Sequence, residues 1–406
     1  MSEMNDDIRT HRGRLCVGMV FGGQASASET EHCLRLAALL QANGVAVVPF
    51  CPDAGPAFSR VEEAGLMRCR LHSRSRCVWG SVTNAVTLAR LCRRIGIDVL
   101  SVHNMAGHRA AVMASALGSR AAVVRAFHEP RRLAVNILNE WTLSRTSQIL
   151  AVSAWTLSSL GPLGEAVDSH CKHVVPPGVD AQAISPARRS ASLREQWGAK
   201  TEDVVVGLPV TAKEADGVSW FLNAALALKG RSPSPRWMVL DLDGSENAAC
   251  GAVLARRMSL TDRFTAVSMP DDRATVLASL DLVVIPSSGL EDSLILALES
   301  MATEAAPIVA DFGGLGEIVT HGQTGMLAIR GDSRSLADAI AYMLDNRAFR
   351  RIMARAARDH AVGGFSQEKW ICSIRAIYER AAHALPHNVP EDDHHEESGR
   401  IVHRIG

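Results

Sequence analysis

The stretch of sequence that decides the fold reads Asp281-Leu-Val-Val-Ile-Pro-Ser-Ser-Gly-Leu-Glu-Asp-Ser-Leu-Ile-Leu-Ala-Leu-Glu-Ser-Met-Ala302. Its first six residues form a short apolar run, rich in β-branched side chains and closed by proline, which indicates a buried parallel strand. The later apolar residues follow helical spacing and predict a helix that begins near Asp292 or Ser293. A buried strand followed by a loop and a helix is the repeating unit of an α/β fold with a parallel sheet.

Two glutamates eight residues apart, Glu291 and Glu299, frame this helix. Glu299 follows Ile295 by four positions, which places its carboxylate at the edge of the apolar face, half inside the protein. Burying a polar group without partners costs about 2 kcal/mol or more, so we expect hydrogen-bond donors beside it, such as ligand hydroxyls. A solvated glutamate on a surface helix is the alternative. The loop at 287–289 follows a strand, where open α/β sheets bind ligands and helix N–H groups favour phosphate.

Length and composition narrow the class of protein. The chain has 406 residues, more than a single core usually serves, which predicts two domains. Its formal net charge is zero and only 4% of its residues are aromatic, which argues against a nucleic-acid reader with stacking platforms. Residues 68–132 contain 12 arginines, no lysine and two acidic residues. This stretch predicts an anionic partner, either a phosphorylated substrate or an acidic membrane; arginines scattered without a contiguous patch are the alternative.

The cysteines and the absence of long apolar runs predict a cellular location. Nine cysteines occur without any Cys-x-x-Cys pair, and we interpret them as reduced core residues. The N-terminus is polar and acidic, and no apolar run approaches the roughly 18 residues that a membrane span needs. We therefore expect a cytoplasmic protein, with peripheral contact at the inner face of the membrane as an additional hypothesis.

Strand and helix patterns alternate along both halves of the chain. Strands are predicted at 15–21, 45–50, 98–102, 122–127, 148–152, 203–210, 237–241, 264–268, 281–285 and 307–310. The two prolines and the glycine at 174–180 predict an interdomain linker. We therefore expect an α/β protein with doubly wound parallel sheets: one domain at 14–180, a second at 200–365, a helix at 366–384 packing back on the first domain, and a disordered tail at 385–406. The acidic and histidine-rich run at 391–397 is expected to be part of that solvated tail and not a metal site.

Four segments resemble motifs of the retaining glycosyltransferases of family 4, which have the GT-B fold. Residues 174–180 are similar to the family's IPNGVD, 291–302 to its EGFGLVLLEAMA, 311–319 to its D-x-GG-x-x-E-I-V and 321–325 to its HGETG. Weaker similarity lies at Gly22-Gly23, at His103 and at Phe127-His128. The likeness covers roughly residues 14–384. It implies two Rossmann-like domains that face each other across a cleft.

The resemblance also implies roles for individual residues. The implied catalytic residues are His128 close to the donor sugar, Glu291 near the sugar ring and Lys213 beside the departing diphosphate. The implied donor-binding residues are Glu299 on the ribose hydroxyls, the backbone amides of Ser293, Leu294 and Ile295 on the diphosphate, Gly207, and Gly22 and Gly23 in a loop beside the phosphate and the acceptor. A satisfied core histidine is the alternative for His128 and the default for His103 and His108.

By the same resemblance, the chain is a hexosyltransferase-type enzyme. It would move a sugar from a nucleotide-diphosphate donor to a glycan, lipid-linked or small-molecule acceptor, in the synthesis of cell-surface polysaccharides or glycoconjugates, with retained anomeric configuration. Amides and Lys213 would meet the charge of the leaving group, so neither a cofactor nor a metal is expected. The run Asp241-Leu-Asp243 has the form of a metal-dependent Asp-x-Asp motif, but Asp243-Gly244 matches a turn of the family.

Three positions depart from the family pattern. Leu208 stands where the family has the arginine of Gly-Arg-Leu, Ser293-Leu294 replaces Phe-Gly, and Glu304 replaces glycine. Losing one charge-assisted contact weakens diphosphate binding by roughly 1.5–3 kcal/mol. The sequence therefore leaves a second function open, that of a catalytically impaired relative serving as a sugar-nucleotide-binding or scaffold subunit. A sugar-nucleotide epimerase is a third hypothesis, which the Glu-x7-Glu context disfavours.

Overall fold

A computed structural model describes residues 14–21, 27–52, 56–64, 69–71, 78–211, 215–232, 235–242, 244, 246–268, 272–286 and 291–384. Several sequence predictions lie outside the described residues. They are the roles of Gly22, Gly23 and Lys213, the second aspartate of the Asp-x-Asp run, and the tail at 385–406.

The first domain is built on a seven-stranded parallel sheet. Its strands are β1 (Cys16–Val20), β2 (Ala46–Pro52), β3 (Cys69–Leu71), β4 (Val99–Val102), β5 (Ala122–Phe127), β6 (Gln148–Ala151) and β7 (Lys172–Val174). Its helices are α1 (Ala27–Ala42), α2 (Pro56–Glu63), α3 (Val78–Ile95), α4 (Met105–Ala116), α5 (Ile137–Ser144), α6 (Ala154–Ser158) and α7 (Pro162–Ala166). The strand order is β3-β2-β1-β4-β5-β6-β7, and all pairs are parallel.

The second domain is built on a six-stranded parallel sheet. Its strands are β8 (Val205–Val210), β9 (Arg236–Asp241), β10 (Phe264–Ser268), β11 (Leu282–Ile285), β12 (Ala306–Ala310) and β13 (Met326–Ala328). Its helices are α8 (Ala191–Gln196), α9 (Ala215–Ala227), α10 (Asn247–Arg257), α11 (Arg273–Ser279), α12 (Glu291–Ala302), α13 (Leu315–Ile318), α14 (Ser333–Asp345) and α15 (Arg347–Gly364). The order is β10-β9-β8-β11-β12-β13, again all parallel.

These two sheets confirm the predicted α/β class. All ten predicted strands are present, and both faces of each sheet carry buried apolar clusters, as expected for parallel strands with near-continuous apolar sequence. Three strands were not predicted: β3, β7 and β13. Each has only three residues and lies at the edge of its sheet, so it is too short to show a period in the sequence.

The last helix, α16 (Gln367–His383), packs against the first domain. Its buried Trp370, Ile374 and Tyr378 join the apolar cluster that covers β1 and α1. The chain therefore crosses between the domains twice, and the crossings are paired: Val179 N–H donates to the carbonyl of Phe365, and the N–H of Gln367 donates to the carbonyl of Val179. This return brings a residue from the end of the chain beneath the site described below.

Two further sequence predictions concern the cysteines and the membrane. Eight of the nine cysteines are described, each of the eight lies outside any disulfide, and five of them are buried. The interpretation as core residues therefore holds for those five, whereas Cys250 and Cys372 are exposed. In the part of the chain that the structure describes, every helix is too short or too polar to cross a membrane.

Candidate active site

The candidate site lies where the order of strands reverses in each sheet. His103 directly follows β4 and His128 directly follows β5, whereas Glu291 opens α12, the helix that follows β11. In the first sheet the reversal falls between β1 and β4, and in the second it falls between β8 and β11. Open α/β sheets bind ligands at such reversal points, at the carboxyl ends of the strands.

His128 and Glu291 join the two domains through two hydrogen bonds that run in opposite directions. The backbone N–H of Glu291 donates to the carbonyl oxygen of His128 at 3.1 Å. In return, His128 Nδ1 lies 2.8 Å from Glu291 Oε2. The other oxygen of Glu291 lies 3.1 Å from Nδ1 of His32, a residue of α1. Glu291 is only 5% exposed, so its carboxylate is buried between two histidines of the facing domain.

A chain of short polar contacts continues from His128 into the first domain. His128 Nε2 lies 2.8 Å from His103 Nδ1, and His103 Nε2 lies 3.0 Å from the hydroxyl of Ser101 on β4. That hydroxyl lies 2.7 Å from the hydroxyl of Tyr378 on α16. Ser101, His103 and Tyr378 are all buried. The site therefore combines residues that are far apart in the sequence into one connected polar network.

A cavity of about 20 Å³ lies among these groups. Its lining includes His32, His103, His128, Glu291, Trp370 and Tyr378. A cavity of this size holds about one water molecule and cannot hold a sugar ring. This cavity is therefore too small to be the place where a sugar binds.

The ionisation of the site follows from burial and hydrogen bonding. Burial alone would raise the pKa of Glu291, but the charge and hydrogen bonds of His32 and His128 outweigh it, and the pKa lies far below its usual range. Burial lowers the pKa of His32, although Glu291 opposes the change. Burial, together with His128 and His32, holds the pKa of His103 well below its usual range. At neutral pH an ionised carboxylate therefore lies in the same network as the neutral imidazoles of His32 and His103.

Acidification is expected to destabilise the protein through His32, His103 and His108, whose pKa values are all lowered, mainly by burial. The unfolded chain takes up protons near the ordinary histidine pKa of about 6.5, whereas the folded protein does not. Their stabilising contribution is therefore complete above that value and is lost as the pH falls toward the lowered pKa values, by roughly 1 kcal/mol per pH unit for each histidine. Urea unfolding at about pH 7.5 and about pH 5.5 measures this loss, and equal midpoints would contradict it.

The three histidines also lie close enough together to raise the question of a metal ion. One ring nitrogen from each of His32, His103 and His128 lies within 4.8 Å of the others. Both nitrogens of His103 and of His128 are engaged in hydrogen bonds, and the two rings meet nitrogen to nitrogen at 2.8 Å. A metal would have to break this contact, since both of its ligand nitrogens would point at the ion and not at each other. We therefore interpret the cluster as a hydrogen-bonded network.

Glu299 contacts a different partner from Glu291. It is half-buried on α12, as its place at the edge of the apolar face predicted, and its Oε2 lies 2.7 Å from Nε of Arg273, the first residue of α11. A ribose hydroxyl that binds Glu299 would therefore share the carboxylate with a guanidinium group. The ribose contact itself stays a prediction.

The helix with the two glutamates starts one or two residues earlier than predicted, at Glu291. Acidic residues in the first turn, Glu291 and Asp292, favour this start because they face the positive end of the helix dipole. Only the first turn of an α-helix has free N–H groups. The amide of Ile295 lies beyond that turn, and the amide of Glu291 donates to the carbonyl of His128, so a phosphate at this helix would bind other amides of the first turn. The side chains of Ser293 and Leu294 are buried.

Two other donor-site positions lie inside the second domain. A Cβ atom on Gly207 would lie 2.5 Å from a methyl group of Leu280, so the tight packing of β8 explains the glycine. Leu208, which stands where the family has arginine, is fully buried in an apolar cluster. This position therefore contributes no cation to the crevice.

Comparison with known proteins assigns the family. Residues 30–183 match the family model described as Glycosyltransferase Family 4, and residues 204–346 match the model described as Glycosyl transferases group 1. The two matches fall in order on the two domains. The chain belongs to the family 4 glycosyltransferases.

Individual relatives of this family 4 chain are distant. The D-inositol 3-phosphate glycosyltransferase of Corynebacterium urealyticum is 27% identical over 250 residues, which are 59% of this chain and 58% of that protein. The chain thus spans little more than half of that relative. A glycosyltransferase structure from Rickettsia africae superposes with a TM-score of 0.82 at 16% identity, over 92% of this chain and 100% of that one. Anabaena HepE, solved in complex with UDP-glucose, gives 0.71 at 16% identity, over 90% and 100%. These likenesses show a shared GT-B fold.

A second contact joins the domains of the family 4 chain away from His128. The carboxylate of Glu317, in the segment 311–319, accepts hydrogen bonds from the backbone N–H groups of Ala154 at 2.7 Å and Trp155 at 2.8 Å. Beside it, Gly314 has φ +87°, and a Cβ atom there would lie 2.7 Å from the side chain of Ser153. Only glycine suits both the backbone conformation and the close approach.

Replacing Glu317 with alanine is expected to loosen this second contact. Two charge-assisted hydrogen bonds are lost, but the glutamate is exposed, so we expect a weakening of about 1 kcal/mol. A larger radius of gyration in small-angle scattering, at unchanged melting temperature of each domain, would show the domains separating more often. Glu379→Ala is the matched control, because Glu379 is a partly exposed acid that pairs with Arg375 within one helix. Equal radii for the two variants would contradict the prediction.

Sequence reasoning did not find all members of the site. His128 and Glu291 were predicted and lie in contact, whereas His32, Ser101 and Tyr378 were not singled out. A signal for His32 exists, because the buried residues Cys33, Leu36, Ala37 and Leu40 place it beside the apolar face of α1. Tyr378 has no such local signal, since its partner Ser101 lies 277 residues away.

Proposed function

We propose that the chain is an active retaining glycosyltransferase that moves a sugar from a nucleotide-diphosphate donor to an acceptor. The observation that supports this most strongly is the buried pairing of His128 with Glu291. It brings the carboxyl ends of the two sheets together and holds a carboxylate and an imidazole in a fixed orientation. Burying a carboxylate costs free energy unless hydrogen-bond partners compensate for the lost water. A scaffold subunit has no need of a buried carboxylate held by two histidines.

In this proposal the donor binds on the second domain. The first turn of α12 holds the diphosphate, and Glu299 holds the ribose. Anabaena HepE was solved with UDP-glucose, so uridine-diphosphate sugars are the first donors to test. The amides of a helix start are preorganised for the charge that develops on the departing diphosphate, and Lys213 adds a cation. No metal is needed for this stabilisation, and the reaction should survive EDTA.

Glu291 is buried against His32 and His128 of the facing domain, so we expect the domains to move apart as the donor enters. Closure afterwards excludes water, so that the sugar reaches its acceptor and is not hydrolysed. Among the described residues, this motion would break hydrogen bonds at the contact between His128 and Glu291 and at the contact of Glu317. A donor-bound protein should therefore differ from the free protein in its radius of gyration.

Calorimetric titration with UDP-sugars and GDP-sugars, followed by product analysis, tests the proposal. Release of the nucleotide diphosphate, with an anomeric NMR signal of unchanged configuration in the product, is the expected outcome. Donor binding without turnover, across a panel of acceptors, would favour the impaired relative. Lack of binding at millimolar donor would reject both.

We further propose an anionic acceptor. Among the described residues, seven arginines of the basic stretch are exposed in the first domain: Arg70, Arg90, Arg93, Arg94, Arg120, Arg131 and Arg132. Arg125 is buried over the ring of Phe127 and does not take part. The relative from Corynebacterium urealyticum is named for inositol 3-phosphate, a phosphorylated molecule. If the acceptor is lipid-linked, we expect the protein to sediment with anionic liposomes at low salt and to be released at high salt. If the protein sediments at neither salt, a soluble phosphorylated acceptor is favoured.

A further inference from the structure

We propose that Ser101 and Tyr378 are positioning residues, which fix the tautomers of His103 and His128 and thereby the orientation of His128 toward Glu291. This inference deepens the proposed function, on which its kinetic part rests. It assigns a role to α16, the helix that returns from the end of the chain to the first domain. The argument rests on the direction of the hydrogen bonds in the chain from Tyr378 to Glu291.

The direction can be derived one atom at a time, starting at Glu291. An ionised carboxylate only accepts hydrogen bonds, so His128 Nδ1 at 2.8 Å must carry a proton. A neutral imidazole has one N–H, and His128 Nε2 therefore accepts. The proton of the 2.8 Å contact between the rings then belongs to His103 Nδ1, which leaves His103 Nε2 as an acceptor.

The remaining two contacts follow in the same way. Since His103 Nε2 accepts, the hydroxyl of Ser101 donates to it at 3.0 Å. A hydroxyl has one proton, so Ser101 Oγ can only accept in its 2.7 Å contact with Tyr378. The Tyr378 hydroxyl therefore donates. All four hydrogen bonds run from α16 toward the carboxylate of the second domain.

The opposite direction is less consistent with the contacts. It requires a doubly protonated His128, which donates to Glu291 and to His103, and His103 would then donate to Ser101. The oxygen of Ser101 has two lone pairs, so this hydroxyl could then either donate to Tyr378 or accept from it. The Tyr378 hydroxyl is buried, and among the described residues its one hydrogen-bond contact is Ser101. If Ser101 donates, the proton of Tyr378 has no acceptor among the described residues; if Ser101 accepts, its own proton has none, and either case costs about 1–3 kcal/mol. With the first direction, every donor in the series of hydrogen bonds from Tyr378 to Glu291 has an acceptor.

Both rings are fixed by this arrangement, because each nitrogen of His103 and of His128 has a partner. A ring flip of His128 would move a carbon against Glu291 and break two hydrogen bonds at once. Ser101 thus acts on His128 through His103, and Tyr378 acts through Ser101. Neither residue contacts Glu291 or needs to touch the donor.

A second buried pair in the same domain provides a matched control. His108 Nε2 lies 2.7 Å from the hydroxyl of Thr146, and that hydroxyl donates to the carbonyl of Thr142 at 2.8 Å. Thr146 Oγ1 therefore accepts, and His108 carries its proton on Nε2. The structure thus assigns opposite tautomers to His108 and to His103. Thr146→Val removes a buried hydroxyl that contacts a histidine, and it leaves the hydrogen bonds from Tyr378 to Glu291 unchanged.

Histidine tautomers can be read from the ¹⁵N shifts of the full chain labelled at histidine. We expect Nδ1–H for His103 and His128 and Nε2–H for His108, each assigned from a histidine-to-glutamine variant. Ser101→Ala should convert the His103 signals to a mixture of tautomers, whereas Thr146→Val should leave them unchanged. An Nε2–H tautomer for His103, or a doubly protonated His128 at neutral pH, would overturn the proposal. This arm does not depend on enzymatic activity.

The kinetic arm uses the same variants. Ser101→Ala should lower kcat about tenfold, the effect of one lost hydrogen bond on orientation, with KM for the donor unchanged. Ser101→Thr keeps the hydroxyl and should restore most of the rate. Tyr378→Phe should cost less, because Ser101 can still donate to His103. An unchanged kcat in Ser101→Ala would reject the positioning role; a wild type without activity would instead reject the proposed function and leave the tautomer assignment standing.

Discussion

Replacing Glu291 with glutamine is expected to reduce the rate of sugar transfer by about a hundredfold or more. The carboxylate accepts from His128 Nδ1 at 2.8 Å and lies 3.1 Å from His32 Nδ1, and glutamine can accept with only one of its two terminal atoms. Its amide group would set an N–H against the N–H of one histidine. Loss of one charge-assisted hydrogen bond, at about 1.5–3 kcal/mol, corresponds to roughly ten- to a hundredfold in rate, and the unpaired histidine adds to this.

The same substitution is expected to lower the free energy of unfolding by about 2 kcal/mol, because a buried donor is left without its acceptor. Initial rates of nucleotide release and urea unfolding curves measure the two effects. Glu291→Asp keeps the charge on a shorter side chain, so it tests whether the distance to the histidines matters. This variant should also be slow. Glu304→Gln, a half-buried acid just beyond the other end of α12, should leave the rate unchanged. A Glu291→Gln variant with wild-type rate would remove Glu291 from the mechanism.

The sequence was sufficient to predict the fold because the central strands are long and apolar. The run at 281–285 is buried on both faces in the middle of its sheet, so its β-branched residues follow one uninterrupted apolar pattern. β3, β7 and β13 escape the same reasoning because three residues at a sheet edge, some of them exposed or half-exposed, carry no period. Local pattern therefore predicts the strands of the core and the five-residue edge strand β10, and it misses the edge strands of three residues.

The site was predictable only in part, for a related reason. Glu291 and His128 each follow a strand that the sequence reveals, and the rule for ligands at the carboxyl ends of strands connects them. Tyr378 reaches the site through the packing of α16 on the first domain, and nothing near residue 378 in the sequence indicates this partner. The pairing of Glu299 with Arg273 likewise depends on the placement of α11 beside α12. Contacts between distant elements are set by tertiary packing, which no local period records.

Replacing Glu299 with alanine is expected to weaken donor binding about a hundredfold, with little change in folding. A half-buried carboxylate that accepts from two ribose hydroxyls contributes roughly 1.5–3 kcal/mol per charge-assisted bond, and each 1.4 kcal/mol is a factor of ten in affinity. Calorimetric titration with UDP measures the effect without requiring turnover. Glu299→Gln keeps an acceptor oxygen without the charge and should lose only about tenfold.

Arg273 provides the test of whether Glu299 binds ribose or only holds the protein together. If the 2.7 Å ion pair is the whole role of Glu299, then Arg273→Ala should weaken UDP binding as much as Glu299→Ala, and the double variant should add nothing. If Glu299 binds the ribose, Arg273→Ala leaves that acceptor in place and should be the milder of the two. Removing the guanidinium also takes a positive charge away from the carboxylate, which is why the effect of this variant must be measured and not assumed to be zero. The double-mutant cycle therefore separates the two roles, and equal single effects without additivity would reject the ribose contact.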